Sequence, residues 1–257
     1  MTTPTAGQDV ATTAQPVISL VRVGKRFSDG TEALAGIDLS VAPGQFVSVV
    51  GPSGCGKSTM LRLAAGLTQP TEGSVSVPTD HIGYVFQDPT LLPWRSVQAN
   101  VELLGELRRL PKEERRRRAD AAIKLVGLDG FTKHRPRVLS GGMRMRVSLA
   151  RSLTLQPELF LLDEPFGTLD EITRERLNDE LLGLFVSQRF AALFVTHSVT
   201  EAVYLSTQVV ALSARPGRVL GHFEVPFDYP RAPELRFDPE FTKVAAQVSA
   251  CLRGAAS

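Results

Sequence analysis

The chain is poor in cysteine, in long apolar runs and in charge of one sign. Only two of its 257 residues are cysteines, Cys55 and Cys251, and they stand far apart. There is no CxxC pair and no Cys/His spacing of a metal site, which excludes a disulfide-stapled fold and a structural zinc. A reducing compartment is the simplest reading. No apolar run approaches the roughly 18–20 residues of a membrane helix. The strongest runs, Phe46–Val50, Leu159–Leu162 and Ala191–Val195, are strand-sized. The first sixteen residues carry no Lys or Arg and no apolar stretch, so a secretory signal is not expected. With 29 basic against 27 acidic residues the net charge is +2, and bulk charge does not call for nucleic acid.

What is present reads as one globular domain with an insertion. Residues 1–16 are small and polar and are expected to form a flexible tail. Strand patterns follow at Val17–Val23, Ile37–Val41 and Phe46–Val50, separated by turn signals at Ser28-Asp29-Gly30 and Ala42-Pro43-Gly44. A glycine-rich loop comes next, then a helix expected over Lys57–Leu67 and strands near Ser74–Val77 and Ile82–Phe86. Residues 96–127 look helical and heavily charged, and a further helix is expected from Ser140 to Leu153. Strands return at Glu158–Leu162, Ala191–Thr196, Thr207–Ser213 and Arg218–Glu224, with a helix at Asp170–Gln188. The order predicts an α/β nucleotide-binding core with a helical insertion between its halves. Phe241, Val244, Ala245, Val248 and Leu252 share one face of a last amphipathic helix, expected to pack on its own core. The run Arg115–Arg118 follows Glu113 and Glu114 and reads as a solvated, ion-paired helix face.

Three segments carry chemistry. Gly51-Pro52-Ser53-Gly54-Cys55-Gly56-Lys57-Ser58-Thr59 fits G-x-x-x-x-G-K-[ST], with an apolar strand before it and a helix after it. Its glycines let backbone N–H groups turn inward onto phosphate oxygens, and the helix start adds its positive end. Lys57 supplies a point charge for the β- and γ-phosphates, and Ser58 a hydroxyl for Mg²⁺. Cys55 reads as a loop position that a helix N-terminus could activate. Leu159–Leu162 is a buried-strand pattern ending in Asp163-Glu164. Asp163 can hold Mg²⁺, and Glu164 can polarise an attacking water. Leu139-Ser140-Gly141-Gly142-Met143 precedes a helix: Ser140 can cap it, and the glycines leave N–H groups open to an anion.

With Ser140-Gly141-Gly142 lying between the other two motifs, residues 17–225 resemble the ABC ATPase family. The resemblance implies a P-loop NTPase with a RecA-like core, an antiparallel β subdomain and an inserted helical subdomain at about 90–154. Residues 226–257 would form a C-terminal extension. It implies that Gln87 touches Mg²⁺ and senses a membrane partner, and that Leu169-Asp170 is the D-loop. His197 would be the switch histidine near the γ-phosphate, and Phe27 would stack on adenine. It further implies ATP hydrolysis in a head-to-tail homodimer, with Ser140, Gly141 and Gly142 of one copy completing the other's ATP site.

A narrower resemblance, to the nitrate/sulfonate/taurine importer ATPases, adds Leu92-Pro93-Trp94, Glu201-Ala202 and Arg215-Pro216-Gly217. It implies permease subunits in the bacterial inner membrane, a periplasmic or extracellular solute-binding protein, and a peripheral place on the cytoplasmic side. Met145, Ser198 and Thr207-Gln208 depart from that family's usual residues. The alternatives are another transport system, a nucleic-acid or ribosome-associated ABC ATPase, and a small-molecule kinase. No nucleic acid is expected as a partner.

Overall fold

Uniformly apolar segments pair as buried strands because a parallel sheet is covered on both faces. In the computed structural model, which describes residues 15–254, this produces the centre of a six-stranded sheet; a three-stranded sheet lies apart from it. The small sheet is antiparallel, in the order β2 (Glu32–Val41), β1 (Ile18–Arg26), β4 (Glu72–Ser76). The large sheet runs β5 (Ile82–Val85), β6 (Leu159–Asp163), β7 (Ala191–Thr196), β3 (Phe46–Val50), β8 (Gln208–Leu212), β9 (Val219–Glu224). All its pairs are parallel except β8–β9. The fold is α/β, with two apolar clusters on opposite faces of that sheet.

Register decides where the chemistry falls. Val50 pairs with Thr196, and Asp163 with Val195. The carboxyl ends of β3, β6 and β7 therefore lie side by side, and the segments after them share one edge. Ligands of open α/β sheets bind at such an edge, where the strand order reverses.

Between β5 and β6 the chain forms α2 (Val97–Val101), α3 (Leu103–Leu107), α4 (Lys112–Leu125) and α5 (Gly141–Leu153). The expected helical stretch over 96–127 is thus three helices. Arg109 takes a left-handed φ of 56° and Pro111 lacks an N–H, so the chain breaks before α4. The first helix, α1 (Lys57–Ala64), ends three residues short of Leu67, and Gly66 (φ 69°) turns the chain away. β2 begins at Glu32 rather than Ile37. The expected tail lies outside the described residues except for Gln15 and Pro16.

Of the arginine run, Arg117 and Arg118 pair with Glu114 and Arg116 with Asp120, as an ion-paired face requires. Arg115 instead turns to Glu102 and Glu106, clamping α4 to the preceding helices. After β6 come α6 (Glu171–Gln188) and α7 (Val199–Leu205). The last helix, α8 (Pro239–Gly254), buries Phe241, Val244 and Val248 against the main core. No helix among the described residues is long and apolar enough to cross a membrane.

Candidate nucleotide site

The loop Gly51–Gly56 leaves β3 and turns sharply into α1. Gly54 and Gly56 adopt φ of 76° and 105°, which side-chain-bearing residues avoid. A Cβ on Gly56 would also lie 2.6 Å from the Ala33 carbonyl, so β2 closes against the loop. Gly56 starts α1 without any side-chain cap, leaving first-turn N–H groups directed at the cavity. Cys55 is buried, and burial pushes its thiol up. The thiolate-favouring effect considered from sequence is therefore outweighed.

Lys57 is only 4% exposed, and its Nζ donates to the Gly51 and Pro52 carbonyls at 2.9 and 3.1 Å. The same ammonium lies 3.3 Å from Glu164 Oε1. Glu164 Oε2 is 3.0 Å from His197 Nδ1. Glu164 holds this bridging position with φ 42° while its N–H donates to the Val195 carbonyl. A left-handed backbone at a glutamate costs about 1–3 kcal/mol and marks a place where geometry is imposed. Ser58 Oγ donates to Asp163 Oδ1 at 2.8 Å. Burial pushes the Asp163 carboxyl up, and the Ser58 hydrogen bond partly opposes it.

A cavity of about 320 Å³ collects these groups; Phe27, Ser53, Gly54, Gly56, Lys57, Ser58, Thr59, Gln87 and Glu164 line it. Phe27 presents a 41% exposed ring at its rim. Asp163 reaches it through Ser58, and His197 through Glu164. The donor set fits Mg²⁺. A hydroxyl and a desolvated carboxylate offer hard oxygens, and Gln87 lies on the same wall. Among the described residues no group of three or more His, Cys, Asp or Glu could hold a metal unaided. That suits an ion held by one or two protein groups plus substrate phosphates.

Sequence reasoning left three residues of this wall unassigned as binders: Thr31, Ala33 and Arg215. Arg215 Nε donates to the Gly54 carbonyl at 3.0 Å. Gly217 braces the loop from the same turn, and a Cβ there would lie 2.3 Å from the Cys55 carbonyl. The Arg-Pro-Gly tripeptide was the available signal.

The structure does not bring Ser140, Gly141 or Gly142 into the cavity. Ser140 is exposed and caps α5, accepting from Met143 N at 3.2 Å. The two glycines permit close packing as well: Cβ atoms there would meet Leu169 Cδ2 and Thr173 Cγ2, each at 3.0 Å. Asp170 caps α6, and Ser198, one of the departures from the family's usual residues, caps α7. Trp94 is 68% exposed just after the Gln87 loop.

Residues 34–167 match the family model described as ABC transporter. The nitrate import ATP-binding protein of Synechocystis sp. is 40% identical over 252 residues, 92% of this chain and 93% of that protein. The aliphatic sulfonates import ATP-binding protein of Pseudomonas syringae pv. syringae is 42% identical over 227 residues, covering 88% of this chain and 92% of its own. Among solved structures, a dimeric ATP-binding cassette in a post-hydrolysis state, bound to ADP and Pi, superposes with a TM-score of 0.72 at 32% identity. That match covers 82% of this chain and all of the other.

Proposed function

This chain belongs to the ABC transporter family and is an ATPase that uses ATP with Mg²⁺, and from that premise we propose that it powers import of a small solute of the nitrate/sulfonate/taurine type. Residues 17–225 form the ATPase domain on this reading, with residues 90–154 as its helical subdomain and 226–257 as an extension. The observation that carries the hydrolytic part of the reading is Glu164, held between the Lys57 ammonium at 3.3 Å and the His197 imidazole at 3.0 Å.

Phe27 stacks on adenine. The Gly51–Thr59 loop cradles the phosphates, and Lys57 leaves the Gly51 and Pro52 carbonyls for the γ-phosphate. Ser58, Asp163 and Gln87 would hold Mg²⁺, and the ion would supply positive charge against the phosphate oxygens. Glu164 accepts a hydrogen bond from the attacking water, raising the electron density on the water oxygen so that its lone pair attacks phosphorus. Water oxygen bonds to the γ-phosphorus as the bond to the bridging oxygen breaks and its electron pair stays on ADP; one water proton passes to Glu164 and is then released to solvent, and the other stays on the phosphate. His197 fixes the Glu164 carboxylate and reaches the γ-phosphate. Ser140, Gly141 and Gly142 of a second copy close the site from outside.

Import is supported by the full-length similarity to ATPases named for nitrate and sulfonate import. Trp94 offers an exposed aromatic to a permease subunit near the Gln87 loop. A solute-binding protein outside the membrane completes the system, and this chain works on the cytoplasmic face. Two measurements test the reading. Glu164→Gln should bind ATP but lose hydrolysis; wild-type turnover in that variant would refute the assignment. Deleting the gene should stop growth on nitrate as sole nitrogen source or on an alkanesulfonate as sole sulfur source. Unchanged growth on both, and on taurine, would remove the cargo class.

A further inference from the structure

The proposed chemistry leaves a cluster of buried polar groups unused at the joint of α6 and α7. Glu201 is 6% exposed and Thr196 is 1% exposed, among apolar side chains and the buried Asn178 of α6. Thr196 Oγ1 donates to Glu201 Oε2 at 2.5 Å and accepts from Ser198 N at 3.0 Å. Glu201 N in turn donates to Ser198 Oγ at 3.3 Å. Glu201 therefore grips the residues on both sides of His197, whose ring touches Glu164.

The second oxygen of Glu201 faces α6. Arg174 Nε stands 3.9 Å from Glu201 Oε1, and among the described residues neither atom has a hydrogen-bond partner. Arg174 is already committed on its other side, because Nη2 donates to the Leu169 carbonyl at 2.8 Å. Leu169 packs where a Gly141 Cβ would sit, 3.0 Å away. A path thus runs from the start of α5, through Leu169, Arg174, Glu201 and Thr196, toward the His197 loop. One link is open. A charge-assisted hydrogen bond spans about 2.7–2.9 Å, so a shift of about 1 Å in the first turn of α6 would close it. Burial pushes the Glu201 carboxyl up, while the Thr196 hydrogen bond, then the Arg174 charge, the Asn178 amide and His197 oppose this, so closing the link adds to the groups that favour the ionised form.

We propose that Arg174 and Glu201 are positioning residues that set the His197 loop according to where the Leu169-Asp170 segment lies. A second copy pressing on Leu169-Asp170 then moves Arg174 onto Glu201, which steadies Thr196 and Ser198 and with them the imidazole beside Glu164. The inference rests on the proposed roles of His197 and Glu164.

The test uses the full chain with Mg²⁺ and ATP, scoring turnover per nucleotide-binding chain. Thr196→Val keeps shape and loses the hydroxyl; Arg174→Ala removes the guanidinium. Each should lower kcat about tenfold, leave KM for ATP within about twofold, and melt near the parent temperature. Arg174→Lys should not rescue, because an ammonium cannot serve Leu169 and Glu201 together. Glu201→Gln keeps the Thr196 contact and should lose only the Arg174-dependent part. The double variant Thr196→Val/Arg174→Ala should be no slower than the slower single, since both break one path. Multiplied losses, unchanged kcat, or a rise in KM matching the fall in kcat would overturn the relay. Glu164→Gln runs alongside. Retained turnover there refutes the underlying site, whereas its collapse beside unaffected relay variants refutes the relay alone.

Discussion

The phosphate loop and the segment at Ser140 are both glycine-rich starts of helices, yet they are held in opposite ways. The phosphate loop is braced from every side. Lys57 is folded onto two carbonyls, Ser58 onto Asp163, Arg215 onto Gly54, and Ala33 and Gly217 press on its backbone. The Ser140 segment is supported from beneath by Leu169 and Thr173, while Ser140 itself is exposed. One half is complete within the chain, and the other offers Ser140 outward, with Gly141 half-buried and Gly142 buried behind it. Electrostatic groups placed before substrate arrives need no reorganisation during reaction, so a braced half suits chemistry. An open half suits reversible closure.

That contrast can be broken by variants placed in each half. The largest effect belongs to Glu164→Gln in the braced half. Hydrolysis should fall about 10²–10⁴-fold while ATP binding persists, measured by phosphate release and a fluorescent nucleotide. Gly217→Ala comes next. Its new Cβ meets the Cys55 carbonyl at 2.3 Å, so the loop must shift, costing about 1–3 kcal/mol and weakening nucleotide binding together. In the open half, Ser140→Ala loses a helix cap worth about 1 kcal/mol, yet single-chain ATP binding should not change. Equal losses of binding in Gly217→Ala and Ser140→Ala would erase the distinction between the halves. Phe27→Ala should raise KM for ATP about five- to tenfold and Phe27→Tyr should restore it.

The smallest effect concerns pH. The folded Asp163 carboxyl is raised above its unfolded value, chiefly by burial. Between those two values the native chain keeps the proton that the unfolded chain releases, so stability falls as pH rises through that window. Above it the penalty is complete. Asp163→Asn should therefore raise the melting temperature of the nucleotide-free chain at neutral pH, and flatten its decline as pH rises through the acid range, while abolishing Mg²⁺-dependent turnover. A lower melting temperature would contradict the burial argument.

Much of this was legible in the sequence because the chemistry sits in short contiguous segments. Apolar runs such as Phe46–Val50 and Ala191–Thr196 mark buried strands without ambiguity. The start of β2 was not legible, because Glu32–Gly36 contains alanine and glycine rather than β-branched residues. Pairing with β1, through several register shifts, overrides that weak propensity. The split of 96–127 into three helices turned on Arg109 adopting a left-handed φ, which charge patterning does not announce. Arg215 and Ala33 join the cavity only through tertiary approach, from a turn and a strand far from the loop in sequence. The Arg174–Glu201 link likewise depends on how α6 packs on α7.

The split between a braced half and an offered half is tested most directly by mass in solution. Sedimentation of Glu164→Gln, which should retain ATP, is compared with the double variant Glu164→Gln/Ser140→Arg. With Mg²⁺ and ATP the first should sediment as two chains and return to one when nucleotide is removed. The second should bind ATP and remain one chain. A single-chain mass for Glu164→Gln at saturating ATP, or a pair that survives Ser140→Arg, would contradict the account.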